Sequence, residues 1–171
     1  GNDGDRPEGV NPDPFAGGAA ASAGARGLVI IAGSVGSGDQ ISSFSNRAGT
    51  GANNYLAAVG ERVRAPDQSN TPLLWSGTSF SAPQIAGAVA LVAQAFPNLT
   101  GAQIVQLLYA TARDVGAAGI DPVYGRGVLD LTRAFQPVGT TSLAGSTGAV
   151  STGVNGALSG PMGDARQAAL G

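Results

Sequence analysis

Residues Trp75–Gly87 read WSGTSFSAPQIAG, and the meaning of this run decides the fold. It gathers small hydroxyl side chains, Gly77, Gly87 and Pro83 directly in front of an apolar, alanine-rich segment. A hydroxyl residue on a turn before a helix has two physical uses. It can cap the helix, its oxygen accepting from backbone N–H groups that the first turn leaves unpaired. It can also be a nucleophile, because the same N–H groups and the helix dipole favour negative charge at that end. A serine hydroxyl is weakly nucleophilic at neutral pH, so acyl transfer also requires a base for its proton and donors for the oxyanion. Gly77 allows the backbone to turn sharply and a substrate to come close. The pattern around Ser79 therefore suits capping and acyl transfer alike.

Working outward from this run, Pro83 predicts the opening of a helix that continues to about Phe96. Ile85, Val89, Val92 and Phe96 recur at helical spacing, and the segment is apolar nearly all round, which predicts a buried helix. Thr100 and Gln103 have the spacing of a capping box, and Ile104, Leu107, Leu108 and Ala112 predict the inner face of the helix behind it. Before the serine, GLVIIAGS (Gly27–Ser34) is an apolar run between glycines, the pattern of a strand buried on both faces of a parallel sheet. NYLAAVGERVRAP (Asn54–Pro66) predicts a second buried strand and a bend, and PLLWSGTS (Pro72–Ser79) a third strand ending at the serine. VYGRGVLDLTRAF (Val123–Phe135) predicts a turn, a short strand and a short helix. Strands interleaved with helices indicate an α/β fold in three layers, with a mainly parallel sheet. Residues 1–26 read as polar loop, and from residue 137 the composition turns to Gly, Ser, Thr and Ala, dividing the chain into a domain over 1–136 and a linker over 137–171.

Composition narrows the chemistry. The 171 residues are 43% hydrophobic and 12% charged, with a net charge of −2, so nothing argues for nucleic acid as a partner. There is no histidine and no cysteine, and all nine basic residues are arginines. A zinc site of His or Cys ligands is therefore excluded, as is a Ser–Lys catalytic pair. Asp3, Asp5 and Glu8 lie close in sequence, but their spacing is not that of an EF-hand loop, and a solvated acidic turn is the simpler reading. Arg62 and Arg64 read as solvent-facing charges; Trp75 and Phe80 flank the serine as cleft or core residues.

GTSFSAPQIAGAVAL (Gly77–Leu91) resembles the serine signature of the subtilisin-like serine proteases, the subtilases. Other pieces resemble further family motifs in order: Gly1–Asp3 (GND) the Gly-Asn oxyanion motif, ISSFSNRAG (Ile41–Gly49) the Ser-Phe-Ser turn, Tyr55–Pro66 the Met-Ala-Pro-Gly strand, and Tyr124–Phe135 the closing Tyr-Gly-x-Gly segment. The resemblance spans about residues 1–136 and implies the C-terminal half of a subtilisin-like catalytic domain. It assigns Ser79 as nucleophile, Asn2 as side-chain oxyanion donor with the Ser79 backbone N–H as its partner, and Gly77 and Thr78 as the supporting turn. It implies a peptide or protein substrate and no required cofactor; calcium recurs in the family, and its site is not readable in this sequence. Gln84, where the family often has His, and Val59, where Pro is common, depart from the pattern. The subtilase triad runs Asp, His, Ser, and with no histidine in the chain the resemblance implies a base supplied from the missing N-terminal half, without which the chain alone is expected to be inactive. A sheet cut at that point is expected to leave an exposed edge and an apolar helix face. The sedolisins, with a Glu base, and a non-catalytic passenger or interaction role are the alternatives. The tail from Gly139 to Ala165 resembles the segment joining bacterial autotransporter passengers to an outer-membrane β-barrel, which implies a secreted or cell-surface location.

Overall fold

The computed structural model describes residues 1–25 and 27–136, with the backbone of 141–142 and 149–150. Two units separate at the end of the domain, Gly1–Ala134 and Phe135–Gly171.

The first unit is built on two parallel strands, β1 (Ile31–Val35) and β2 (Tyr55–Val59), in register from Ile31↔Tyr55 to Val35↔Val59. Both come from the apolar runs expected to be buried strands. On the far side of β2, Ala57 donates to the Gly127 carbonyl at 2.9 Å and accepts from Leu129 at 2.8 Å, so the segment around Val128 extends the parallel array by isolated bridges, where a regular strand was expected. Along the other edge of β1, the returning chain makes the Val35↔Ile41 bridge. Side chains alternate across the sheet. Leu56 and Ala58 face a core made with α2 (Thr78–Ala95), α3 (Gly101–Thr111) and α4 (Leu131–Ala134), whereas Tyr55 and Ala57 join Ile31, Val35, Ala48 and Val128 on the opposite face. This places β2 between two apolar layers, the three-layer α/β arrangement read from the sequence.

Residues 1–25 are more ordered than a polar loop. Pro7–Val10 and Ala23–Ala25 form 3₁₀ turns, and α1 (Pro14–Ala21) starts where the Asp13 carboxylate accepts from the Phe15 N–H at 2.9 Å. Pro14 at the first helical position needs no N–H partner. Ala16 and Ala20, one turn apart, pack on the Tyr55 side of the sheet.

The expected third strand is instead the second arm of a hairpin. β3 (Val63–Pro66) pairs antiparallel with β4 (Pro72–Trp75), and Asp67 Oδ1 closes the turn by accepting from Ser69 and Thr71, both at 2.8 Å. Leu73, Leu74 and Trp75 are exposed along it.

α2 begins at Thr78, five residues before Pro83, which lies inside the helix. A proline this close to the start removes the single i→i−4 bond that would end on the Ser79 carbonyl, and the helix runs through it. Nor is α2 buried all round. Ser81, Ile85, Ala88 and Val92 line its inner side, while Leu91 is half exposed and the rest of the outer side is alanine interspersed with Ser79, Pro83, Gln84, Gly87 and Gln94. α3 has the expected capping box, Thr100 N–H donating to Gln103 Oε1 at 2.8 Å and Gln103 N–H to Thr100 Oγ1 at 3.3 Å. Its buried residues are the expected Ile104 and Leu108 with Val105, Tyr109 and Thr111, which the periodicity does not single out; Ala112 is buried just past its end, and Leu107 is half-buried.

In the second unit, β5 (Thr141–Ser142) pairs antiparallel with β6 (Ala149–Val150). The remainder of the expected 137–171 linker and its continuation into a barrel lie outside the described residues. Among the described residues no helix is long and apolar enough to cross a membrane.

Candidate active site

The turn that presents Ser79 hangs from the carboxyl ends of the two parallel strands. Gly60, directly after β2, donates its N–H to the Val35 carbonyl at the end of β1 (3.0 Å), and its own carbonyl accepts from Gly77 N–H (2.8 Å). In open α/β sheets this is the edge where loops gather to form a site. Gly77 has φ of 154°, a conformation that side chains disfavour, and a Cβ on Gly60 would overlap Ser34 Oγ, Ser81 Oγ and the Gly77 carbonyl. Both positions thus require glycine, one for its backbone angle and the other for close approach.

The hydroxyls of the opening run have separate tasks. Ser76 Oγ accepts from Arg62 N–H at 3.0 Å. Ser81 is fully buried and donates to the Ala58 carbonyl at 3.1 Å, tying α2 to β2. The Thr78 hydroxyl donates to Asn2 Oδ1 at 2.9 Å. Ser79 lies in the first turn of α2, exposed, and among the described residues its hydroxyl has no hydrogen-bond partner. The N-cap is Gly77, with no side-chain capping bond, so Ser79 does not cap the helix.

Asn2 is brought to this turn from the start of the chain. Its Oδ1 accepts from both the Thr78 N–H and the Thr78 hydroxyl, each at 2.9 Å. Two donors on Oδ1 orient the carboxamide, leaving Nδ2 as the end able to donate elsewhere, and Nδ2 lies beside Gly77. Asn2 Oδ1 is therefore the acceptor of Thr78, and the Ser79 N–H, in the first helical turn, has no intrahelical acceptor. Ser79, Asn2, Gly77 and Thr78 are thus brought together.

Trp75 and Phe80 stack at 6.3 Å between ring centroids, with planes 21° apart. Trp75 is 39% exposed, so this pair lines the surface next to Ser79; core packing does not describe it. Gln84 and Val59 meet: Gln84 Nε2 donates to the Val59 carbonyl at 2.6 Å and to the Phe80 carbonyl at 3.0 Å, so both departures from the motif sit in one contact. Arg62 and Arg64 are exposed, as expected. The acidic residues near the start do not converge: Asp3 pairs with Arg6 at 3.2 Å, and among the described residues no group of three or more acidic side chains is arranged to hold a metal.

Behind the turn lies a buried polar cluster that sequence reasoning passed over. Ser34 and Ser42 share a hydrogen bond at 2.8 Å, Ser45 Oγ accepts from Ser34 N–H at 3.0 Å, and the Tyr55 hydroxyl donates to the Asn46 carbonyl at 2.7 Å. Burial pushes the Tyr55 phenol up to about 12, against smaller opposing effects of Ser45 and Arg47. The one visible signal was the density of Ser and Asn in a stretch flanked by apolar residues, which also fits a surface turn.

The chain is similar to known proteins in sequence and in fold. The chain is 42% identical over 110 residues to mycosin-1 of Mycolicibacterium smegmatis, covering 60% of this chain and 24% of that protein. It is 40% identical over 65 residues to the Neisserial autotransporter lipoprotein NalP of Neisseria meningitidis, covering 38% of this chain and 6% of that protein. Among solved structures, the self-cleaved protease domain of PatA superposes with a TM-score of 0.55 at 25% identity, over 64% of this chain and 41% of that one. The chain thus spans about a quarter of the mycosin and less than half of the PatA domain. A model of the subtilase family, peptidase S8, matches residues 1–127, which carry Asn2, the parallel strands and the Ser79 turn in one continuous span. With the fold, the motif order and this match in agreement, the chain belongs to the subtilase family.

Proposed function

We propose that this chain carries the nucleophile and the oxyanion donors of a serine endopeptidase. Ser79 Oγ attacks the carbonyl carbon of a scissile peptide bond, and its proton passes to a base and then to the leaving amine. The developing oxyanion accepts from Asn2 Nδ2 and the Ser79 N–H. Water then hydrolyses the acyl-serine, releasing the carboxylic acid and restoring the hydroxyl. The observation that carries this reading is the pair of hydrogen bonds from the Thr78 N–H and hydroxyl to Asn2 Oδ1, which turns the donor end of the carboxamide away from Thr78 and beside Gly77, two positions before the exposed Ser79. A preorganised side-chain donor of this kind contributes about 3 kcal/mol to transition-state stabilisation.

The base comes from outside these residues, since the chain has no histidine. The parent protein supplies it from the other half of the catalytic domain, and the 171 residues alone are nearly inert because triad members act as a unit. Its substrates are peptides or proteins. The autotransporter among the relatives supports a secreted or bacterial cell-surface protein in which residues 137–171 lead to an outer-membrane β-barrel.

The test uses the full-length polypeptide containing this chain. It is expected to cleave peptides, to react with a fluorophosphonate at Ser79, and to lose about 10⁴-fold or more in kcat on Ser79→Ala. A full-length protein that leaves peptides uncut would overturn the reading. Strong labelling of Ser79 in the isolated chain would show that no external base is needed.

A further inference from the structure

Resting on the protease reading above, we propose that Asn46 is a positioning residue for the oxyanion hole, fixing the backbone on both sides of Asn2. Its N–H donates to the Gly1 carbonyl at 3.1 Å, and its Oδ1 accepts from the Asp3 N–H at 2.8 Å. Gly1 and Asp3 are the two neighbours of Asn2, so a single residue grips the chain immediately before and immediately after the proposed oxyanion donor. Gly4 N–H to the Phe44 carbonyl, at 2.7 Å, continues the same ladder.

Asn46 is itself held firmly. It is 4% exposed, and its Nδ2 donates to the Asn11 carbonyl at 2.9 Å. Its carbonyl accepts from the Tyr55 hydroxyl at 2.7 Å and from the Ser45 hydroxyl at 3.1 Å. Tyr55 belongs to β2, so hydrogen bonds run without a break from the central sheet through Asn46 to the segment carrying Asn2. The side chain of Asn2 is tied to α2 through Thr78, while its backbone is tied to the sheet through Asn46. Asn2 itself is exposed, so these hydrogen bonds are what hold it at the turn. An oxyanion donor acts only at hydrogen-bond distance from the developing charge, and a displacement of about 1 Å near the reacting centre can cost about 100-fold in rate.

The experiment measures kcat and KM of the full-length protein on a peptide p-nitroanilide, with thermal unfolding of each variant, for Asn46→Ala, Asn2→Ala and the double variant. Asn2→Ala is expected to lower kcat by about 10²–10³-fold. Asn46→Ala is expected to lower kcat by about tenfold or more while KM stays within about twofold, at temperatures well below unfolding. In the Asn2→Ala background the same change should alter kcat by less than about twofold, because the group it positions is gone. Asn46→Asp keeps the Oδ1 acceptor and both backbone groups but loses the donor to Asn11; it should unfold at lower temperature yet recover most of kcat. Should Asn46→Ala not accumulate as folded protein, Asn46→Ser is read by the same comparison. An equal loss in both backgrounds, or no loss on the wild-type background, would overturn the positioning role. A protein that cleaves nothing, or an Asn2→Ala variant with undiminished kcat, would overturn the protease reading first and this inference with it.

Discussion

Gly60 shows how tightly the Ser79 turn is built. Its carbonyl holds Gly77, and the space where a Cβ would stand is taken by two buried hydroxyls and a carbonyl oxygen. The carbonyl is backbone and Ser81 is committed to Ala58, so neither gives way readily. Gly60→Ala is expected to destabilise the protein by about 1–3 kcal/mol through overpacking. Because the displaced atoms support the nucleophile turn, kcat should fall more than KM rises; denaturant unfolding and steady-state kinetics on the full-length protein check both parts. The roles of neighbouring residues were separable only in three dimensions. Four hydroxyls crowd the opening run, and each has a different environment: one binds the hairpin, one binds Asn2, one binds β2, and Ser79 alone faces solvent without a partner among the described residues.

At the scale of elements, the two main helices hold their places for different reasons. α3 starts on a reciprocal capping box, and loss of the Thr100 hydroxyl removes the acceptor of the Gln103 N–H. Thr100→Ala is expected to cost about 1 kcal/mol, seen as a lower unfolding midpoint with unchanged kcat, since Thr100 is far in sequence and role from the Ser79 turn. α2 has no capping side chain at its own N-cap, Gly77; Asn2 Oδ1 accepts from its Thr78 N–H, and the helix is secured by Ser81 and by Ile85, Ala88 and Val92 against the sheet. Its sequence is apolar nearly all round, so periodicity alone could not say which face would be inward. Alanine recurs along its outer face, and alanine is tolerated in water or under a neighbour alike. The hairpin departs from the expected third strand for a related reason: four apolar residues before a turn look the same in an antiparallel arm as in a buried parallel strand, and only pairing distinguishes them.

Across the whole molecule, two buried phenols tie layers together. Tyr55 bridges the central sheet to the Asn46 turn, and Tyr109 of α3 donates to the Asn54 carbonyl at 3.0 Å. Burial raises each to about 12, with Arg126 opposing the shift at Tyr109. A phenol raised above its unfolded value of about 10 keeps its proton in the native state while the unfolded chain loses it. Its stabilisation is therefore complete below about pH 10 and is lost as the pH climbs through about 12. For Tyr55 alone this is on the order of 2 kcal/mol. The unfolding temperature is expected to fall steeply across that window, with the phenolate absorbance rising together with unfolding; Tyr55→Phe should flatten the slope. Arg113 joins the loop after β1 to the segment before α4, pairing with Asp39 at 2.7 Å and Asp130 at 3.3 Å, and its charge is favoured chiefly by the hydrogen bond to Asp39.

By itself the sequence determined the two buried strands, the capped helix and the order of the motifs, because apolar runs, caps and turn residues act over a few positions and each carries its own physical signal. It also determined what chemistry was available, a serine on a turn, an asparagine near the start and no histidine anywhere. Only the tertiary structure decided which of these groups meet. Asn2 and Thr78 are 76 positions apart, and Asp3 and Asn46 are 43 apart. No local preference links residues at that distance; they are joined by the path of the chain around β1 and β2, where two layers of apolar side chains leave one arrangement of the strands and carry the polar groups to a shared edge.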